Sequence, residues 1–136
     1  MILHHNSLIK LEYSPATDIL QVNYPDLYSY QLSEVRHSLA VMVEAIRNYD
    51  VKRLLLDASV TAISIGEAEN RELSISLAAS LAKTRLQKVA RIHPLNPTRE
   101  SIAQENISNI LRAGPLPYQL RTFSNRTQAL QWLVEK

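Results

Sequence analysis

The sequence predicts an α/β domain: a five-stranded mixed sheet, made of an N-terminal antiparallel hairpin and three parallel strands, with four helices packed on it. Three observations lead there. The spacing of apolar residues switches between a period of two and a period near 3.6, in the order β-β-α-β-α-β-α-β-α. The run Lys52–Asp57 is almost continuously apolar, as expected of a strand covered on both faces. No linker, repeat or low-complexity tract interrupts the 136 residues, so the chain reads as one domain over 1–136.

Each element has its own reason. Leu8–Tyr13 and Ile19–Tyr24 alternate, and Ser14-Pro15-Ala16-Thr17-Asp18 between them is rich in turn formers, so the pair reads as a hairpin. From about Ser29 to Asn48, Leu32, Val35, Leu39, Val43 and Ile46 fall on one helical stripe. After the strand Lys52–Asp57, a second helix is expected over about Ile65–Thr84, with Leu73, Leu77 and Leu81 at intervals of four. Val89–His93 is a further strand stopped by Pro94. Helix three spans about Arg99–Arg112 with Ile102, Ala103, Ile107, Ile110 and Leu111 inward, and Gly114-Pro115 closes it. Tyr118–Phe123 gives the last strand and Thr127–Val134 the last helix. Strands joined by helices return to the same sheet end and so run parallel, and function in such sheets gathers beyond their carboxyl ends. Here those are the loops after Asp57 and after His93.

Composition narrows the function classes. With no cysteine there is no disulfide framework, thiolate metal site or cysteine nucleophile. The formal charge is only +2. The densest cationic group, Lys83, Arg85, Lys88 and Arg91, reads as a complement to the end of the second helix rather than a nucleic-acid footprint, so no nucleic-acid partner is expected. No stretch reaches the roughly 20 apolar residues of a membrane span, and no leader is evident, so a cytoplasmic location is expected. Two glycines cannot build a phosphate-cradling loop.

The loop "LDASVTAISIGEAE" holds the candidate residues. Asp57, at a strand end, is expected to accept backbone N–H groups of the loop that follows. Ser64-Ile65-Gly66-Glu67 has the Ser-x-x-Glu spacing of a capping box, in which the Ser64 hydroxyl and the Glu67 carboxylate satisfy each other's backbone amides. Ser59 and Ser64 are the candidate regulatory hydroxyls, and His93 is the histidine best placed at the sheet edge. A receiver-type phospho-aspartate would need an acidic pair on the first strand, which offers only Glu12. A serine hydrolase would need a nucleophile elbow or oxyanion glycine, and neither accompanies Ser59, Ser64 and His93. His4-His5 reads as a frayed terminus rather than a metal site. Tyr24, Tyr28 and Tyr30 flank the first helix, where they pack on Pro25 or rim a pocket.

The element order and the loop carried by Leu56, Asp57, Ser59, Val60, Ile63, Ser64 and Gly66 resemble the STAS domain, the anti-sigma-factor antagonist fold. The tail "QLRTFSNRTQALQWLVEK" is similar to the end of small bacterial STAS-like and CRAL-TRIO-like proteins. The resemblance implies a loop serine that a partner kinase phosphorylates, breaking a protein–protein interface. Carried over, the acceptor is Ser64, preceded here by Ile63 where the family has an acidic residue.

The expectation is therefore a non-enzymatic regulatory or scaffold domain, with no cofactor and no metal. It would meet an unidentified protein partner through the two loops, with Asp57, Ser59, Ser64, Glu67 and His93 as the candidate binding residues. The alternative is a carrier of a small apolar ligand held between sheet and helices. Homodimerisation is expected through the hairpin edge, guarded only by Pro15, Lys10 and Glu12.

Overall fold

A computed structural model describes residues 1–135 and shows eight strands and four α-helices among them. Strand β1 is Ile2–His5, β2 Lys10–Ser14, β3 Ile19–Asn23 and β4 Leu27–Tyr28. A single 3-10 turn, Ser29–Gln31, leads into α1, Leu32–Asn48. Then follow β5 Arg53–Asp57, β6 Ile63–Ser64, α2 Glu67–Ala82, β7 Lys88–Ile92, α3 Pro97–Ala113, β8 Gln119–Phe123 and α4 Arg126–Val134.

The main sheet has six strands, not five, in the order β1-β2-β3-β5-β7-β8. β1 and β2 pair antiparallel, as do β2 and β3, whereas β3, β5, β7 and β8 run parallel. The sixth strand contains His4 and His5, so the N-terminus is paired rather than frayed. Asn6 makes the turn: its Oδ1 accepts from the amides of Leu8 at 2.8 Å and Ile9 at 2.9 Å. The hairpin edge on which the dimer expectation rested is covered by β1, and β1 and β8 are the outer strands of the sheet. β4 and β6 form a separate two-stranded parallel pair, Leu27 opposite Ile63 and Tyr28 opposite Ser64.

Alternation along the strands sorts side chains to two faces. Leu11, Leu20, Leu54, Leu56 and Val89 meet α1 and α2 in the larger core, through Val35, Leu39, Met42, Ile46, Leu73 and Leu81. Ile19, Leu55, Ala90 and Ile92 point the other way, onto Ala129, Trp132 and Leu133 of α4. Burying one leucine of this kind contributes about 2 kcal/mol. α3 lies beside α2 on the larger-core side. Its expected apolar stripe is only partly covered: Ile102, Ala103, Ile107 and Ile110 are of intermediate burial and Leu111 is exposed.

Two of the cations after α2 serve elsewhere. Lys88 Nζ donates to the carbonyls of Trp132 at 2.9 Å and Glu135 at 2.7 Å, so it caps the end of α4 rather than α2. Arg91 shares the sheet face of Val89 and pairs with Glu100 of α3.

Candidate functional site

The loop after β5 and the loop after β7 come together at the carboxyl ends of the parallel strands. The amide of Ala58 donates to the carbonyl of Ile92 at 3.0 Å, and Arg99 Nη1, in the first turn of α3, donates to the carbonyl of Thr61 at 3.0 Å. Thr61 is itself buried, with its hydroxyl donating to the carbonyl of Tyr24 at 2.9 Å. The amide of Ala62 donates to Asp26 at 2.8 Å, and the amide of Tyr24 to the carbonyl of Asp57 at 2.7 Å. The Asp57–Ser64 segment is thus held by hydrogen bonds from three directions.

Within that segment Asp57 does what its position predicts. Its Oδ1 accepts from the Ser59 amide at 2.9 Å and the Ser59 hydroxyl at 2.6 Å, and Arg126 of α4 reaches its Oδ2 at 2.7 Å. Burial by itself would raise the Asp57 carboxyl, but the hydrogen bonds from Ser59 and Arg126 and the charge of Arg126 outweigh it and hold the group below its ordinary value. The Ser59 hydroxyl is therefore a donor to Asp57 and not a partner of His93. His93 Nδ1 lies 2.8 Å from the carbonyl of Pro94, within its own loop.

The capping box between Ser64 and Glu67 does not form. Ser64 is drawn into β6 by its pairing with Tyr28, its side chain is exposed, and Gly66 is the residue before α2, with no side-chain cap. Glu67 is exposed in the first turn. Side-chain caps occur instead at the other two helices of the second half. Asn96 accepts from the amides of Thr98 and Arg99, and Asn125 from that of Gln128.

Behind the two loops lies the feature that spacing alone did not reveal, a cavity of about 150 Å³ between the sheet, α2 and α3. Leu56, Leu77, Leu81, Val89, Ile107 and Ile110 form its apolar walls, which explains why the inward stripe of α3 is incompletely covered. Its polar lining includes Asn70, Asn106, Arg91 and Arg99, with Thr61 and Ser74. Asn70 and Asn106 are only 9% and 6% exposed, and both side chains line the cavity. Tyr24 and Tyr118 also line the cavity. Burial pushes the Tyr24 hydroxyl up to about 12, against the opposing charge of Arg91, so it remains a neutral phenol at physiological pH.

Arg91 is neutralised in place. Its guanidinium binds Glu100 through both nitrogens, Nη1 lying 3.2 Å from Oε2, and also donates to Thr122 Oγ1 at 3.2 Å. Burial would raise the Glu100 carboxyl, but hydrogen bonds from Arg91 and Gln104, then the charges of Arg91 and His93, bring it below its ordinary value.

Asn70 and Asn106 did leave a trace in the sequence. Asn70 sits three residues before Leu73 and Asn106 three after Ala103, each on the apolar stripe of its helix where a hydrocarbon is expected. No family model, curated protein or solved structure matches this chain. Among the described residues no helix is long and apolar enough to cross a membrane, and no three histidine, aspartate or glutamate side chains converge as metal ligands.

Proposed function

We propose that this chain is a non-enzymatic binding domain that holds one small, largely apolar molecule between its sheet and helices α2 and α3. One observation carries the reading: an aliphatic cavity of about 150 Å³ whose wall also presents two mostly buried asparagines and two arginines. Apolar cavities of that size take up benzene-sized guests. A ligand with an apolar body and a polar end would restore the dispersion contacts missing from the walls and hydrogen-bond to these polar groups.

The test is direct. Benzene-sized fragments titrated into the labelled protein should shift the amide resonances of β7, α2 and α3, and Ala103→Trp, which fills the cavity, should abolish those shifts. Fragment-induced shifts scattered over the surface, or unchanged by Ala103→Trp, would reject the reading.

A second reading has its own support. Val60 and Leu95, at the tips of the two converging loops, are 81% and 79% exposed. Aliphatic side chains so placed suit docking to a protein partner, in line with the STAS-like regulatory role that the loop sequence implies. The exposed Ser64 hydroxyl would then be the phosphate acceptor. Mass spectrometry after incubation with native lysate, with Ser64→Ala as control, decides it: a wild-type protein that gains no phosphate at Ser64 removes the switch.

A further inference from the structure

We infer that the cavity takes a small apolar monocarboxylate, and that Arg99 is the residue that pairs with its charge. This rests on the reading that the cavity binds a small molecule, and it names the class.

The charges around the cavity are unequal. Two arginines line it and no aspartate or glutamate does. Arg91 has its counterion, since Glu100 occupies both of its terminal nitrogens and Thr122 takes a further bond from Nη1. Arg99 has none. It spends one N–H on the carbonyl of Thr61 and has no carboxylate partner among the described residues, although it is half-buried at the cavity wall. A guanidinium keeps its charge at any physiological pH and presents paired N–H donors that match a carboxylate. Against an apolar wall, where water competes poorly, such a donor set discriminates strongly between an anion and its neutral isostere.

The helices put further donors in reach. Asn70 is in the first turns of α2 and Arg99 in the first turn of α3, and both helices begin at the carboxyl end of the parallel strands. A carboxylate at that end meets Arg99 and the Asn70 amide together. Asn106, about two turns further into α3, faces the body of the ligand. The walls of Leu56, Leu77, Leu81, Val89 and Ile107 offer that body no charge and little polarity. The volume limits it to a single ring or a short chain.

Matched pairs test the assignment. Benzoate, phenylacetate and hexanoate are each titrated against the corresponding amide, near neutral pH, with the cavity amides followed by NMR. At least one acid is expected to bind about tenfold or more tightly than its amide. In Arg99→Gln that preference should shrink to near unity while the amide still binds, which also shows that the variant is folded. Arg99→Lys, which keeps the charge but not the fork, should retain part of the preference. Acids and amides binding alike to the wild type would overturn the monocarboxylate class while leaving the cavity a binding site. A preference unchanged in Arg99→Gln would overturn the role of Arg99. If neither member of any pair shifts the cavity residues up to its solubility limit, the inference and the binding reading fall together.

Discussion

Asp57 and Arg126 lie 69 positions apart in the chain, and their side chains meet at 2.7 Å. The contact ties the carboxyl end of β5 to the first residue of α4, and Arg126 adds a bond to Gln21 of β3. Three elements that approach from different parts of the sequence are therefore fastened beside the loop that carries Ser59. Arg126 is 48% exposed, so solvent screens its share, and Arg126→Ala should cost no more than about 0.5–1 kcal/mol. Asp57→Ala removes the acceptor for the Ser59 amide and hydroxyl as well, and should cost about 1–2 kcal/mol. Urea unfolding of the two variants checks the order; an Arg126→Ala loss exceeding that of Asp57→Ala would contradict it.

The same carboxylate, with Glu100, sets the acid limb of stability. Both groups titrate below their ordinary values in the folded protein, so the unfolded chain, whose carboxyls titrate near pH 4, takes up protons first. Their contribution is therefore complete above about pH 5 and disappears as the pH falls through the lowered folded values. Wild type should exceed Asp57→Asn and Glu100→Gln in stability at neutral pH, and the gap should narrow on acidification through the lowered folded values. A gap that stays constant from neutral to acid would show that the charged forms contribute nothing.

Helix starts give a sharper contrast. Ser64 carries the spacing of a capping box but is held in β6, whereas Asn96 and Asn125 do accept the amides of their helices. Ser64→Ala is expected to leave the melting midpoint almost unchanged. Asn96→Ala and Asn125→Ala should each cost about 1 kcal/mol, the ordinary worth of a side-chain cap. Parallel thermal melts of the three variants settle which residues begin these helices.

Why some of this was legible in the sequence and some was not follows from the range of the forces involved. The stripe Val35–Leu39–Val43–Ile46 and the run Leu54–Leu56 record local periodicity directly, and the elements they predict fall within a few residues of those observed. β1 escaped because Ile2-Leu3-His4-His5 has no alternation; its pairing is made by the Asn6 turn and by β2, not by its own pattern. The Ser64 cap failed for a related reason. Ser-x-x-Glu is a local signal, and the pairing of Tyr28 with Ser64, across 36 positions, overrides it. At the candidate site, the Asp57–Ser59 contact spans two residues and could be anticipated. The cavity is where the α2 and α3 stripes meet the β7 face, and only the misplaced polarity of Asn70 and Asn106 hinted at it.

Gly114 ends α3 with φ near +152°, a region that residues with a β-carbon rarely adopt. A β-carbon built there meets nothing within 4 Å, so any penalty for Gly114→Ala is backbone strain rather than a clash. The loss expected is about 1–2 kcal/mol. Gly66 is the internal comparison: its φ is −65° and the nearest atom to an added β-carbon is Glu69 Oε1 at 3.5 Å, an ordinary contact. Gly66 is, however, the N-cap of α2, where alanine is disfavoured relative to glycine, so Gly66→Ala should cost about 0.5–1 kcal/mol, less than Gly114→Ala. Equal losses at the two positions would refute the conformational explanation.

Arg91 and Glu100 test how a mostly buried ion pair behaves beside an apolar cavity. Their side chains are 13% and 20% exposed, and bonds to Thr122 and Gln104 satisfy further atoms of the pair. Removing one partner leaves the other charge buried without its counterion, which typically costs about 3 kcal/mol or more. Removing both leaves no orphaned charge, and hydrocarbon there suits the Val89 and Ala103 surroundings. The double variant Arg91→Met with Glu100→Leu should therefore be more stable than either single variant, with a coupling energy of about 2 kcal/mol in a double-mutant cycle. Additive losses in the cycle would mean that the two side chains are solvated independently and that the pair does not hold α3 to the sheet.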